Sequence, residues 1–92
     1  MMNNNNEPKI SFARKGTNEW KFFSYMSCHN SVTSRESKYP PLEIMDLPKL
    51  ISNLIREGYD ISKINRTRIN SLGVAKRYTE YYLNEKVVLH NV

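Results

Sequence analysis

Leu47, Leu50, Ile51, Leu54 and Ile55 recur at i, i+3, i+4, i+7 and i+8, the apolar stripe of an amphipathic helix. Asp46 stands where an N-cap belongs, Pro48 is tolerated in a first helical turn, and Gly58 supplies a stop. A helix over 47–57 is therefore predicted, and its stripe demands a second apolar surface to cover it. That surface has to be small. The chain has 92 residues, 39% of them hydrophobic and 25% charged, with a mean hydropathy of −0.65, which suffices for one core and not for two.

The surface is sought on the N-terminal side. Residues 1–8 read as a flexible Asn-rich tail and residues 9–92 as a single small domain. Ile10, Phe12 and Ala13 begin a short strand, Gly16 and Asn18 suit a turn, and Trp20 to Met26 alternates as a second strand, so a β-hairpin is expected. In that strand Trp20, Phe22 and Met26 point one way while Phe23 and Tyr25 point the other, which makes Phe23 and Tyr25 candidate contact residues and leaves Trp20 to the core. Ser27 to Pro41 has no period and reads as a long loop. After Gly58, two short helices are expected with Gly73 at their break, and Lys86 to Leu89 reads as a closing strand. The fold class expected is α+β: an N-terminal β-hairpin packed on an amphipathic helix, followed by two short helices and a short C-terminal strand.

Reactive groups are few. Cys28 is the only cysteine, and His29 and His90 are the only histidines, so neither an internal disulfide nor a four-ligand zinc site can be assembled. Gly16, Gly58 and Gly73 are too scattered to cradle a phosphate, and Glu36, Glu43 and Asp46 fall in different segments. The expectation is a non-enzymatic binding protein with no cofactor, no metal and no catalytic residue. No run approaches the roughly 18 apolar residues of a membrane span, and residues 1–8 lack the apolar centre of a signal peptide, so no membrane partner and a cytoplasmic location are expected.

Charge points to the partner. The chain carries 14 Lys and Arg against 9 Asp and Glu, and residues 47–92 hold most of the excess. Lys63, Arg66, Arg68, Lys76 and Arg77 lie in a stretch with no acid between Ile61 and Thr79, with Asn65, Thr67 and Asn70 among them. Such a one-signed run suits phosphates or acidic side chains, whereas most charge runs are simply solvated faces.

Within that stretch, RINSLGVAKRYTEYYL at residues 68–83 resembles the turn and second helix of helix-turn-helix DNA-binding proteins, although Thr79 and Tyr82 stand where the family is usually aliphatic. The resemblance implies that Lys76, Arg77, Glu80 and Tyr81 face a major groove. In size, composition and lack of catalytic groups the chain is also similar to small phage anti-CRISPR inhibitors. That resemblance implies a protein that docks on a host surveillance complex, a ribonucleoprotein, and blocks target DNA binding, with Lys63, Arg66, Arg68, Lys76 and Arg77 contacting phosphate or acidic groups. The expected function is therefore such an inhibitor, acting in the host cytoplasm; the alternative is a helix-turn-helix transcriptional regulator.

Overall fold

A computed structural model describes residues 8–90, so the tail expected over 1–8 lies, Pro8 apart, outside the described residues. Along the chain run β1 (Lys9–Ser11), α1 (Asn18–Met26), β2 (Ser31–Thr33), a 3-10 turn (Glu36–Lys38), α2 (Leu47–Arg56), β3 (Ile61–Ile69), β4 (Ala75–Leu83) and β5 (Val87–Leu89). β4 is the centre of an antiparallel sheet in the order β2-β4-β3, while β1 pairs in parallel with β5.

The helix expected over 47–57 is present as α2. Asp46 accepts a hydrogen bond from the Lys49 amide at 3.2 Å, and Gly58 closes the helix at a φ of +103°. Leu47, Ile51 and Leu54 are buried, Leu50 is half-buried, and Ile55 at the edge of the stripe is 40% exposed. The closing strand expected at 86–89 is present as β5. Its partner is β1, in the register Ile10↔Val88.

Two expectations are overturned. The predicted hairpin over 10–26 does not form: residues 18–26 are helical, with Thr17 as N-cap and Glu19 in the first turn. The alternation of Trp20, Phe22 and Met26 against Phe23 and Tyr25 suits a strand only if both faces find cover. Read at helical spacing, Phe22, Phe23 and Met26 share one face, and all three are buried there. The two phenyl rings meet edge to face at 5.3 Å. Burying both adjacent rings outweighs the strand preference of aromatics.

The two short helices expected between Gly58 and Lys86 are instead the nine-residue strands β3 and β4. This stretch has no helical stripe to bury, because from Ser62 to Arg77 every residue is exposed. The hairpin is held by a full ladder from Ile61↔Leu83 to Ile69↔Ala75. At its end the Asn70 side chain accepts from the Leu72 and Val74 amides at 2.9 and 3.0 Å, and Gly73 takes a φ of +79°. This is a turn in which the αL position requires glycine. The stretch 68–83 thus forms one side and the tip of a β-hairpin rather than the turn and second helix that it resembles.

The long loop expected over 27–41 also contains structure. Thr33 and Glu36 bond reciprocally, the Glu36 carboxylate accepting from the Thr33 amide at 2.9 Å and the Thr33 hydroxyl from the Glu36 amide at 3.0 Å. The pair has the reciprocal form of a capping box and orders the bend from β2 into the 3-10 turn, whose own N-cap residue Arg35 makes no side-chain cap bond. The core gathers Phe22, Phe23 and Met26 of α1, Val32 of β2, Leu42 and Ile44 of the connection, Leu47, Ile51 and Leu54 of α2, and Tyr81 of β4. It sits at the base of the β3–β4 hairpin, whose outer half extends beyond it.

Candidate functional site

Residues directly opposed in an antiparallel ladder share a face, and successive residues alternate. The register sets Arg68 against Lys76 on one face and Thr67 against Arg77 on the other. Two like charges directly opposed destabilise a hairpin, so this pairing costs stability within the isolated molecule. All three cations are exposed.

Facing them across a cleft of about 760 Å³ is the 3-10 turn with its flanking residues, which contribute Lys38, Arg35 and the 62% exposed Tyr39. Arg35, Lys38, Arg68, Lys76 and Arg77 border this concavity, Arg77 from the strand face opposite to that of Arg68 and Lys76, together with Ser34, Asn70 and Ser71. Ion pairs among the described residues are Lys9–Glu85 and Arg66–Glu80, so these five cations have no carboxylate partner there. Five unneutralised charges around one cleft create a strongly positive potential that attracts anions. Arg35 and Lys38 escape a sequence reading because their loop carries no period; the Thr33-Ser34-Arg35-Glu36 capping box was the available signal that this segment is ordered.

Of the residues singled out from the sequence, Arg68, Lys76 and Arg77 are brought together. Lys63 stands apart near the hairpin base, exposed and opposite Tyr81. Arg66 is engaged within the protein: its guanidinium bonds the Glu80 carboxylate and the Tyr82 hydroxyl, the latter at 3.1 Å. Those two partners raise its pKa above the ordinary value, so it stays charged. Phe23, expected at a contact surface, is 1% exposed and belongs to the core, because the helix turns it inward. Tyr25 is half-buried, and its ring stacks on His29 at 3.9 Å. The His29 Nδ1 lies 2.9 Å from the Tyr25 carbonyl, beside the exposed Cys28. Among the described residues no three His, Cys, Asp or Glu side chains are grouped as a metal site would need, and no helix is long and apolar enough to cross a membrane.

α2 contributes a second polar surface, opposite its buried stripe. Lys49, Ser52 and Arg56 are exposed at i, i+3 and i+7, so they align along the outer face. No sequence motif marks them; they are the complement of the apolar stripe.

The Arg66–Glu80 pair extends to β2, where the Ser31 hydroxyl donates to Glu80 at 2.7 Å. The Ser31 bond first, then Arg66 and Tyr82, hold the Glu80 carboxyl below its usual range. A depressed carboxylate contributes stability that is full above the unfolded value of about 4.3 and fades as pH falls through the folded one. Glu80→Gln is accordingly expected to melt below the parent at neutral pH, with the gap narrowing in acid, as the pH falls below the unfolded carboxyl's range. Melting curves at neutral and acid pH test this, and a gap that widens on acidification would contradict it.

A protein-family model described as a winged helix-turn-helix domain matches residues 17–86. The match runs from the N-cap of α1 to the end of the β3–β4 hairpin, leaving β1 and β5 outside. No curated protein and no solved structure matches the chain.

Proposed function

The chain belongs to the winged helix-turn-helix domain family, and from that premise we propose that it binds duplex DNA, with α2 as the helix that enters the major groove and the β3–β4 hairpin as the wing that grips the backbone. In helix-turn-helix proteins the second helix of the unit lies in the groove. Here that helix is α2, preceded by the 3-10 turn in the place of a first helix. Lys49, Ser52 and Arg56 then face base edges and phosphates. Arg35, Lys38, Arg68, Lys76 and Arg77 follow the phosphates of the flanking strand. The observation that carries the reading is the convergence of these five cations on one cleft beside the hairpin, without carboxylate partners among the described residues.

The family match favours the regulator reading over that of a phage inhibitor docked on a ribonucleoprotein, which rests on length, composition and the same basic surface. The partner proposed is duplex DNA itself, and the activity is binding without chemistry.

Fluorescence anisotropy with a labelled mixed-sequence duplex, followed as salt rises, tests this. Five to seven phosphate contacts give a slope of log K against log salt of about −4.5 to −6.3. A-form duplex RNA of the same length should bind more weakly, since its narrow major groove excludes a helix. No binding to duplex DNA at low salt, or binding indifferent to salt, would overturn the reading.

A further inference from the structure

The end of the β3–β4 hairpin is apolar where the rest of its outer half is polar and basic. Ile69, Leu72 and Val74 are 69%, 84% and 51% exposed, all within the tip and its last strand residue. Single exposed apolar side chains are ordinary on a protein surface, whereas three gathered at one projecting tip indicate a contact. Leu72 is the most exposed of them and occupies the apex of the turn.

The apex is held before any partner arrives. The Asn70 carboxamide accepts from both the Leu72 and Val74 amides, the Asn70 amide donates to the Val74 carbonyl at 3.1 Å, and the Gly73 amide donates to the Asn70 carbonyl at 3.0 Å. A tip fixed in this way presents its side chain without the cost of ordering the turn backbone. Immediately behind it stand Arg68 and Lys76, directly opposed. An apolar point backed by paired cations is complementary to a surface whose rim is phosphate and whose interior is stacked bases.

We propose that Leu72 is a wedge that enters the minor groove of bound DNA and partly unstacks one base step, while Arg68 and Lys76 hold the phosphates on either side. The inference rests on the duplex-binding reading above and adds a deformation of the DNA to it. Apolar wedges backed by cations do this in architectural proteins, unstacking a step and kinking the duplex. The minor groove is assigned because α2 takes the major groove and because a single apical side chain suits a groove about 6 Å wide. Pyrimidine–purine steps are the preferred targets, being the easiest to unstack.

The test uses duplexes carrying 2-aminopurine at TA or CA steps, whose fluorescence rises on unstacking. Parent protein at saturation is expected to raise the emission severalfold. Leu72→Ala and Leu72→Ser are expected to bind with the parent's salt slope yet lose the rise, and Leu72→Met to retain it. Because Leu72 packs on nothing, none of these substitutions should change the melting temperature. Duplex binding by the parent with no rise at any labelled step, or a full rise with Leu72→Ala, would overturn the wedge and leave the DNA-binding reading standing. Absence of duplex binding would overturn both. Tip-dependent association with vesicles of phosphatidylserine and phosphatidylcholine, in place of a 2-aminopurine response, would reassign the apex to a lipid surface and overturn the wedge.

Discussion

Reversing charge at Arg68 and Lys76 together is expected to weaken duplex binding by more than about a hundredfold at moderate salt. Each phosphate contact contributes about 0.9 to the salt slope, or roughly eightfold in affinity at about 0.1 M salt. Losing two contacts accounts for about sixtyfold, and the two new carboxylates repel the backbone in addition. Stability separates this effect from a folding defect. Arg68 and Lys76 are directly opposed on the hairpin and exposed, so replacing one repulsive pair by another should leave the melting temperature nearly unchanged. The single variant Lys76→Glu is more informative still. It converts a like-charge pair into an attractive one, a gain of about 0.2–1 kcal/mol, so it should melt slightly above the parent while binding at least about tenfold more weakly. Anisotropy titrations and thermal melts on the same samples measure both. Unimpaired binding by the double variant would remove the wing from the interface, and a marked fall in its melting temperature would give these cations a structural role.

Truncating the α2 stripe should have the opposite signature. Leu54→Ala or Ile51→Ala is expected to cost about 2–5 kcal/mol of stability, since each side chain is wholly buried and its removal leaves a cavity in the core. In a domain of this size a loss of about 3 kcal/mol lowers the melting temperature by more than about 10 °C. Leu50→Ala should cost less, because Leu50 is half-buried at the edge of the stripe. Denaturant titration ranks the three, and a Leu54→Ala protein as stable as the parent would show that α2 does not seat on the core.

These two signatures divide as legibility did. α2 was readable because its signal is local: a period of 3.6, an Asp cap and a terminal glycine all lie within thirteen residues, from Asp46 to Gly58. β5 was readable from its β-branched run, although its partner was not, since the Ile10↔Val88 pairing joins opposite ends of the chain. α1 is ambiguous in sequence because aromatic alternation and helical spacing both fit Trp20 to Met26, and only the position of the core chooses between them. β3 and β4 are hidden in the sequence for a different reason. Their outer halves face solvent on both sides, so no alternation of apolar and polar residues records the strand period. Thr79 and Tyr82, where aliphatic residues would seat a recognition helix, were the local sign of a strand, both being residue types that favour sheets.

The candidate site divides in the same way. That the chain is basic, that its excess lies between Lys63 and Arg77, and that an amphipathic helix needs a cover are properties of composition and local order, already written in the order of residues. Which cations act together was decided by tertiary structure alone. Arg66 is withdrawn by Glu80 and Tyr82 across the ladder, Phe23 by the turn of its helix, and Arg35 and Lys38 are brought in from a loop thirty residues away from Arg68. The physical reason is that charge is additive along a sequence, whereas a binding cleft depends on strand register and on which face each side chain occupies, and both are set by pairings between segments distant in the chain.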